Sequence, residues 1–293
     1  MQYISKQVII DSGLSEERVA ILENNKLVEI YIERLEDRKI IGNIYKGKVM
    51  NVLPGIEAAF VDIGIERNAF LHLDDLTQEG VRQKKNTAEN KELIKAGEEI
   101  DVQVVKEAIV PKGARVTTNI SLPGRYLVLM PNNNGIAVSR RIEQEEEKER
   151  LKKLLQKIKA KDFGFIVRTA GVGKNEEDFL NDIDFLIRLW NKIQKRSKKA
   201  KAPMLLHEDF TLTYRIIRDL FTEDIDEFVV NSENEYKNIM SFLDSVSLLD
   251  LKPRVSFYEG EKPIFEAYNI ERDINRALEK KVWLKCGGYL VFD

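Results

Sequence analysis

An α+β multidomain fold with a small β-barrel near its N-terminus follows from three observations. Short runs rich in Val, Ile and Phe (Val49 to Leu53, Ile56 to Ile63, Ala69 to Leu73) are each bounded by Gly47, Pro54-Gly55 or Gly64. They are too short for helices and lack the 3.6-residue period, so they read as strands cut by turns. From residue 204 to 280 strands and helices alternate, the pattern of helices packed on a mixed sheet. Finally, 293 residues give room for two or three cores.

Residues 3–35 read as three strands, Ile4 to Ile10, Arg18 to Leu22 and Leu27 to Ile32, turning at Asp11-Ser12-Gly13 and Asn24-Asn25. Such a meander buries too little surface alone and needs a partner distant in sequence. The barrel runs from about Gly42 to Leu122. Within it, residues 78–97, polar and bearing Lys84, Lys85, Lys91 and Lys95, read as a loop. Alternation resumes at Ile100, Val102 and Val104, and Pro111-Lys112-Gly113 reads as a hairpin turn carrying a cation. Tyr126 to Met130 and Ile136 to Val138 are strands around an asparagine-rich turn. Glu143 to Ile158 is a charged helix with its acids first and its lysines last, as the helix dipole favours. A strand ends at Arg168, a glycine-rich turn follows, and Asn175 caps a helix. Along that helix Phe179, Ile183, Leu186, Trp190 and Ile193 recur at helical spacing, and Ala202-Pro203 stops it. Beyond it, helices Thr211 to Phe221, Glu233 to Leu248 and Ala267 to Lys280 alternate with strands Phe228 to Val230 and Val255 to Tyr258. Residues 282–293 form a hairpin.

Composition sets bounds on function. The chain is 43% hydrophobic and 33% charged, an ordinary soluble balance. A net charge of −2 means that any cationic surface for nucleic acid must be local. Cys286 is the sole cysteine, which excludes an internal disulfide and a cysteine-rich zinc site within one chain. The start MQYISKQVIID lacks the signature of a signal peptide, and no 18-residue apolar stretch could span a bilayer. A cytoplasmic location is expected.

Two stretches carry chemistry. Tyr45, Lys46, Lys48, Phe60, Arg67, Phe70 and His72 interleave aromatic and basic groups, a mixture that suits single-stranded nucleic acid on an open barrel. Each phenylalanine reads equally well as core. At Arg168-Thr169-Ala170-Gly171-Val172-Gly173-Lys174, strand, glycine turn and helix N-terminus could bring backbone N–H groups, an arginine fork and a hydroxyl onto one phosphate. The same spacing also describes a plain strand-to-helix connection. It is not a P-loop, because Arg168 and Asn175 stand where glycine and Ser or Thr are required. The basic cluster from Lys192 to Lys201, Arg196 included, reads mainly as a solvated helix end, with an RNA backbone as the other use open to it, and Asp224, Asp226 and Glu227 read as surface carboxylates.

The barrel segment 42–73, the string 121-SLPGRYLVLMPNNNGIAVSRRIE-143 and 166-IVRTAGVGK-174 resemble the ribonuclease E/G family, and the likeness extends more faintly to nearly the whole chain. The resemblance implies an S1-type OB barrel inserted in a split RNase H-like subdomain, with an α/β 5′-sensor subdomain. By that likeness residues 1–40 and 211–280 are the two halves of the split subdomain, 41–122 the barrel, 123–210 the 5′ sensor, and 281–293 the start of a DNase I-like catalytic subdomain. It implies a 5′-monophosphate pocket at Arg168, Thr169, Gly124, Val128 (through its backbone) and Arg141, and RNA contacts at Phe60, Phe70 and Lys112. Ile63 stands where the family often has an aromatic. The activity implied is Mg2+-dependent endonucleolytic hydrolysis of single-stranded RNA bearing a 5′-monophosphate, in RNA processing and decay, by a homo-oligomeric parent enzyme. The two Mg2+-binding aspartates, and the cysteines that hold Zn2+ between subunits, are expected beyond the point matching Asp293. The alternative is a non-catalytic S1-domain RNA-binding protein that acts as given.

Overall fold

The N-terminal meander finds its partner in the last third of the chain. The computed structural model describes residues 3–34, 36, 39–76, 94–109, 112–158, 162–222, 224–246, 248–284 and 286–292, and divides into two units, 1–38 with 210–293, and 39–209. In the first unit β1 (Lys6–Ser12), β2 (Glu16–Glu23) and β3 (Lys26–Arg34) run antiparallel. Asn24 and Asn25 turn β2 into β3 at φ of 50° and 59°, the left-handed pair that matches strand twist. β1 pairs in parallel with β14 (Glu227–Val230), from Gln7 opposite Glu227 to Ile10 opposite Val230, and β14 pairs with β15 (Val255–Phe257).

Strand alternation sends side chains to two faces of this sheet. Val8, Ile10, Val19, Phe228 and Val230 pack against α3 (Leu212–Leu220) and α4 (Glu233–Ser245). Ile9, Ala20, Leu22 and Val229 meet Ile264, Phe265 and Ile270 of α5 (Ile264–Ala267) and α6 (Ile270–Ala277). The helix expected over Ala267 to Lys280 is found as the shorter α6, and α5 is an additional short helix before it, the two separated at Asn269, whose φ of 58° lies in the left-handed region that asparagine tolerates. The carboxylates at 224–227 are tied to β1. Asp224 accepts from Lys6 Nζ at 2.7 Å, Asp226 from the Lys6 amide at 2.8 Å and from the Tyr3 hydroxyl, and Glu227 from Gln7 Nε2 at 2.8 Å. β16 (Lys281–Trp283) and β17 (Tyr289–Val291) form the terminal hairpin.

In the second unit β4 (Ile44–Leu53), β5 (Ala58–Asp62), β6 (Ala69–His72), β7 (Glu99–Lys106) and β8 (Arg115–Thr117) follow the order β4-β5-β6-β8-β7, and β4–β7 pairing closes the barrel. Gly47 lets β4 pack closely on β5, since a Cβ there would lie 2.4 Å from Val61 Cγ1. Most of the polar stretch expected as a loop over 78–97, and Pro111 of the expected hairpin turn, fall outside the described residues; Ile94 is buried in the barrel core. β13 (Met204–His207) adds to the outer edge of β4.

A second sheet, in the order β11-β12-β10-β9, comprises β9 (Leu122–Pro123), β10 (Leu127–Met130), β11 (Ile136–Val138) and β12 (Gly164–Val167). Leu151 and Leu155 of α1 (Glu145–Ile158) and Phe179, Leu186 and Trp190 of α2 (Glu176–Ser197) cover it. Ile44 of the barrel belongs to the same core. Lys46 Nζ donates to the Ser197 carbonyl at 2.9 Å, and Ser197 Oγ to Asp101 at 2.9 Å, so the end of α2 is fastened to the barrel wall.

Candidate functional site

On the barrel, β5 and β6 place Phe60 opposite Phe70, with ring centroids 6.1 Å apart at 76°. Their neighbours Ala59, Val61, Ala69 and Leu71 fill the core, so alternation turns both rings outward, where each is half-exposed. His72, two residues along β6, continues the face at 6.5 Å from Phe70. Ile63 lies in the core and adds nothing to this platform. Lys112 is exposed, its amide on the Ile109 carbonyl at 2.6 Å. Gly113 next to it packs so closely on Asn68 that a Cβ would stand 2.1 Å from the Asn68 carbonyl oxygen. Phe70 N–H donates to the Ala114 carbonyl at 2.7 Å, which brings the 112–114 segment beside the aromatic pair.

The second candidate is the turn between β9 and β10. The Gly124 amide closes it on the Leu127 carbonyl at 2.8 Å. Arg168, at the end of β12, donates its backbone N–H to the Tyr126 carbonyl at 2.8 Å and its Nη1 to the carbonyls of Gly124 and Arg125 at 2.5 and 3.3 Å. The amides of the same turn point the other way, to a residue that sequence reading passes over. Asp182 of α2 accepts from Arg125 at 3.0 Å, and from Tyr126 and Leu127 at 2.8 Å each. Burial pushes the Asp182 carboxyl up, while those three amides and the Arg168 charge pull it down. Gly124 is required where it stands, because a Cβ would lie 2.5 Å from Asp182 Oδ1. The signal was a lone carboxylate on the apolar stripe of a helix, where an unpaired charge is not tolerated.

Thr169 follows Arg168 and opens a 3-10 turn, Thr169–Gly171. The Ser139 amide donates to the Val167 carbonyl at 2.9 Å, which sets the end of β11 beside that of β12. Arg141 and Thr169 are therefore exposed on the same end of the sheet. Val128 lies farther along β10, between Ile166 and Pro123. Lys174 Nζ and Arg125 Cζ sit 5.6 and 5.5 Å from the Tyr126 ring centroid, within cation–π range, and add positive charge around the turn.

One expected contribution is already committed. The Asn175 side chain accepts from Asp178 N–H, Asp178 accepts from Asn175 N–H, and Glu176, Glu177 and Asp178 occupy the first turn of α2. Gly173 N–H donates to Glu147 at 2.9 Å. A capped, acid-rich helix start does not offer its amides to an anion, so any phosphate there relies on side chains. Glu147 also accepts from Arg150, which with the Gly173 amide lowers its pKa to about 2 from 4.5. A depressed carboxyl stabilises above its unfolded value and ceases to as pH falls through its folded one. Protection of the Gly173 amide against hydrogen exchange is expected to hold above pH 4.5 and decline towards about 2. Unchanged protection across that window would contradict the contact.

Glu57, His72 and Asp74 place potential ligand atoms within 4.8 Å of one another on the barrel. A histidine with two exposed carboxylates is not the oxygen cage that Mg2+ takes. Among the described residues, no helix is long and apolar enough to cross a membrane.

Residues 121–293 match the ribonuclease E/G family, and residues 38–116 the S1 RNA binding domain. The chain is 41% identical to Ribonuclease G of Escherichia coli (strain K12), an alignment covering 99% of this chain and 60% of that protein. It is 41% identical to Ribonuclease G of Haemophilus influenzae, over 98% of this chain and 60% of that one. It is 37% identical to Ribonuclease E of Nostoc sp., over 98% and 42%. The chain thus spans about 60% of the length of its ribonuclease G relatives.

Proposed function

The chain belongs to the ribonuclease E/G family, and from that premise we propose that it recognises single-stranded RNA and senses its 5′-monophosphate for an endoribonuclease of RNA processing and decay. In this reading bases stack on Phe60 and Phe70 while Lys112 holds a phosphate beside them. The terminal phosphate sits at the turn of Gly124, with Arg168, Thr169 and Arg141 around it and Val128 behind. The observation that carries the reading is the Arg168 guanidinium, held at 2.5 Å on the Gly124 carbonyl at the same sheet end as the exposed Thr169 and Arg141. A guanidinium fork and a hydroxyl at one spot suit a phosphomonoester, which carries more charge and more acceptor oxygens than an internal phosphodiester.

Hydrolysis is assigned to the stretch of the relatives that this chain does not span, where the resemblance puts two Mg2+-binding aspartates and, between subunits, Zn2+. The 293-residue chain with Mg2+ and a 5′-monophosphorylated oligonucleotide is therefore expected to bind without cutting. Multiple-turnover cleavage would overturn that assignment.

A further inference from the structure

Arg188, Lys192, Lys195, Arg196 and Lys199 are spaced so as to share one face of α2 and its continuation. The face is opposite the buried one that holds Phe179, Ile183, Leu186, Trp190 and Ile193. Over about 16 Å, at 1.5 Å per residue, this stripe is wholly cationic. The helix dipole explains only the last turn, since its effect fades within one turn of the end. It does not reach Arg188 or Lys192.

Other helices of the chain carry cations paired with acids. On α1 Lys148, Arg150 and Lys152 pair with Glu145, Glu147 and Glu149, and on α4 Lys237 pairs with Glu233. On the stripe Arg188 pairs with Asp184, but Lys192, Lys195 and Lys199 form no ion pair with another described residue. In a chain of net charge −2 these are local positive charges. Lys46 of β4 fastens the same end of α2 through Ser197 on the buried face, so the stripe lies on the outer side of the helix with its C-terminal end close to the barrel.

We propose that this stripe is a phosphate-tracking surface for RNA, holding the backbone of a strand that extends past the segment gripped by the barrel. The inference rests on RNA being the barrel's ligand. It requires no base contact and adds affinity without sequence preference.

The test is fluorescence anisotropy on the full chain with single-stranded oligonucleotides of ~6 and ~25 nucleotides, the shorter within one barrel's footprint. Lys192→Gln/Lys195→Gln/Lys199→Gln is expected to weaken the long oligonucleotide roughly 10-fold at low salt and to lower the log–log salt slope by about 2. Affinity for the short one, and the ratio of 5′-phosphate to 5′-hydroxyl binding, should not change. The corresponding Lys→Glu triple variant should weaken the long oligonucleotide further, with the melting temperature of both variants near that of the parent. Unchanged affinity and slope for the long RNA would overturn the proposal, as would loss of binding to anionic-lipid vesicles with RNA binding intact. A parent chain that binds neither oligonucleotide would instead overturn the RNA-binding reading, and this proposal with it.

Discussion

Asp182→Ala is expected to cost the 39–209 unit about 3 kcal/mol or more, because it strips three buried amides of their acceptor at once. For a unit of this size that is a fall in melting temperature of roughly 10 °C. Asp182→Asn keeps the volume but turns an NH2 group towards an amide donor, so it should recover only part of the loss. Gly124→Ala attacks the same contact from the other side, placing a Cβ 2.5 Å from Asp182 Oδ1. Since the two changes act on one contact, their combined cost should fall short of the sum. Thermal unfolding of the three single variants and the Gly124→Ala/Asp182→Ala pair measures this. An Asp182→Ala protein as stable as the parent would refute the view that this carboxylate organises the turn.

The second large effect is on affinity. Phe60→Ala and Phe70→Ala each remove a stacking surface worth about 1–3 kcal/mol per base. Together they should weaken a short single-stranded RNA by roughly 100-fold or more. Both rings are half-exposed with their backs to a core of small and branched residues, so stability should fall much less than affinity. Equal losses in binding and melting temperature would mark the two rings as core. Lys112→Ala, which removes one phosphate contact, should lower the salt slope by about 1.

Much of this molecule is legible in its sequence, for reasons that differ between elements. The barrel strands are cut by turn residues at Gly47, Pro54-Gly55 and Gly64, and the Asn175 cap marks the start of α2, so short-range signals suffice. The need of β1–β3 for a partner is legible from surface area, and β14 supplies it. The addition of β13 to β4 is not, because four residues carry no register signal and the pairing joins residues far apart in sequence. Nor is the break between α5 and α6, since asparagine is unremarkable within a helix pattern until its φ is known.

Site residues divide in the same way. Arg168 stands out in the string 166-IVRTAGVGK-174, and its guanidinium does meet Gly124. The helix amides expected beside it are committed to Asn175, Asp178 and Glu147, a competition that spacing alone cannot reveal. Asp182 was hidden because a helix position facing the core is read as apolar by default, and its reason lies in a turn some 55 residues earlier.

Discrimination at the 5′ end is reached directly by one titration. The same single-stranded oligonucleotide is measured with a 5′-phosphate and with a 5′-hydroxyl, against the parent chain and against Arg168→Ala. With a charge-assisted guanidinium contact worth about 1.5–3 kcal/mol, the parent should prefer the phosphate by roughly 10- to 100-fold, and Arg168→Ala should bind both ends alike. Equal affinities for the two ends in the parent, or a preference that survives Arg168→Ala, would contradict the account.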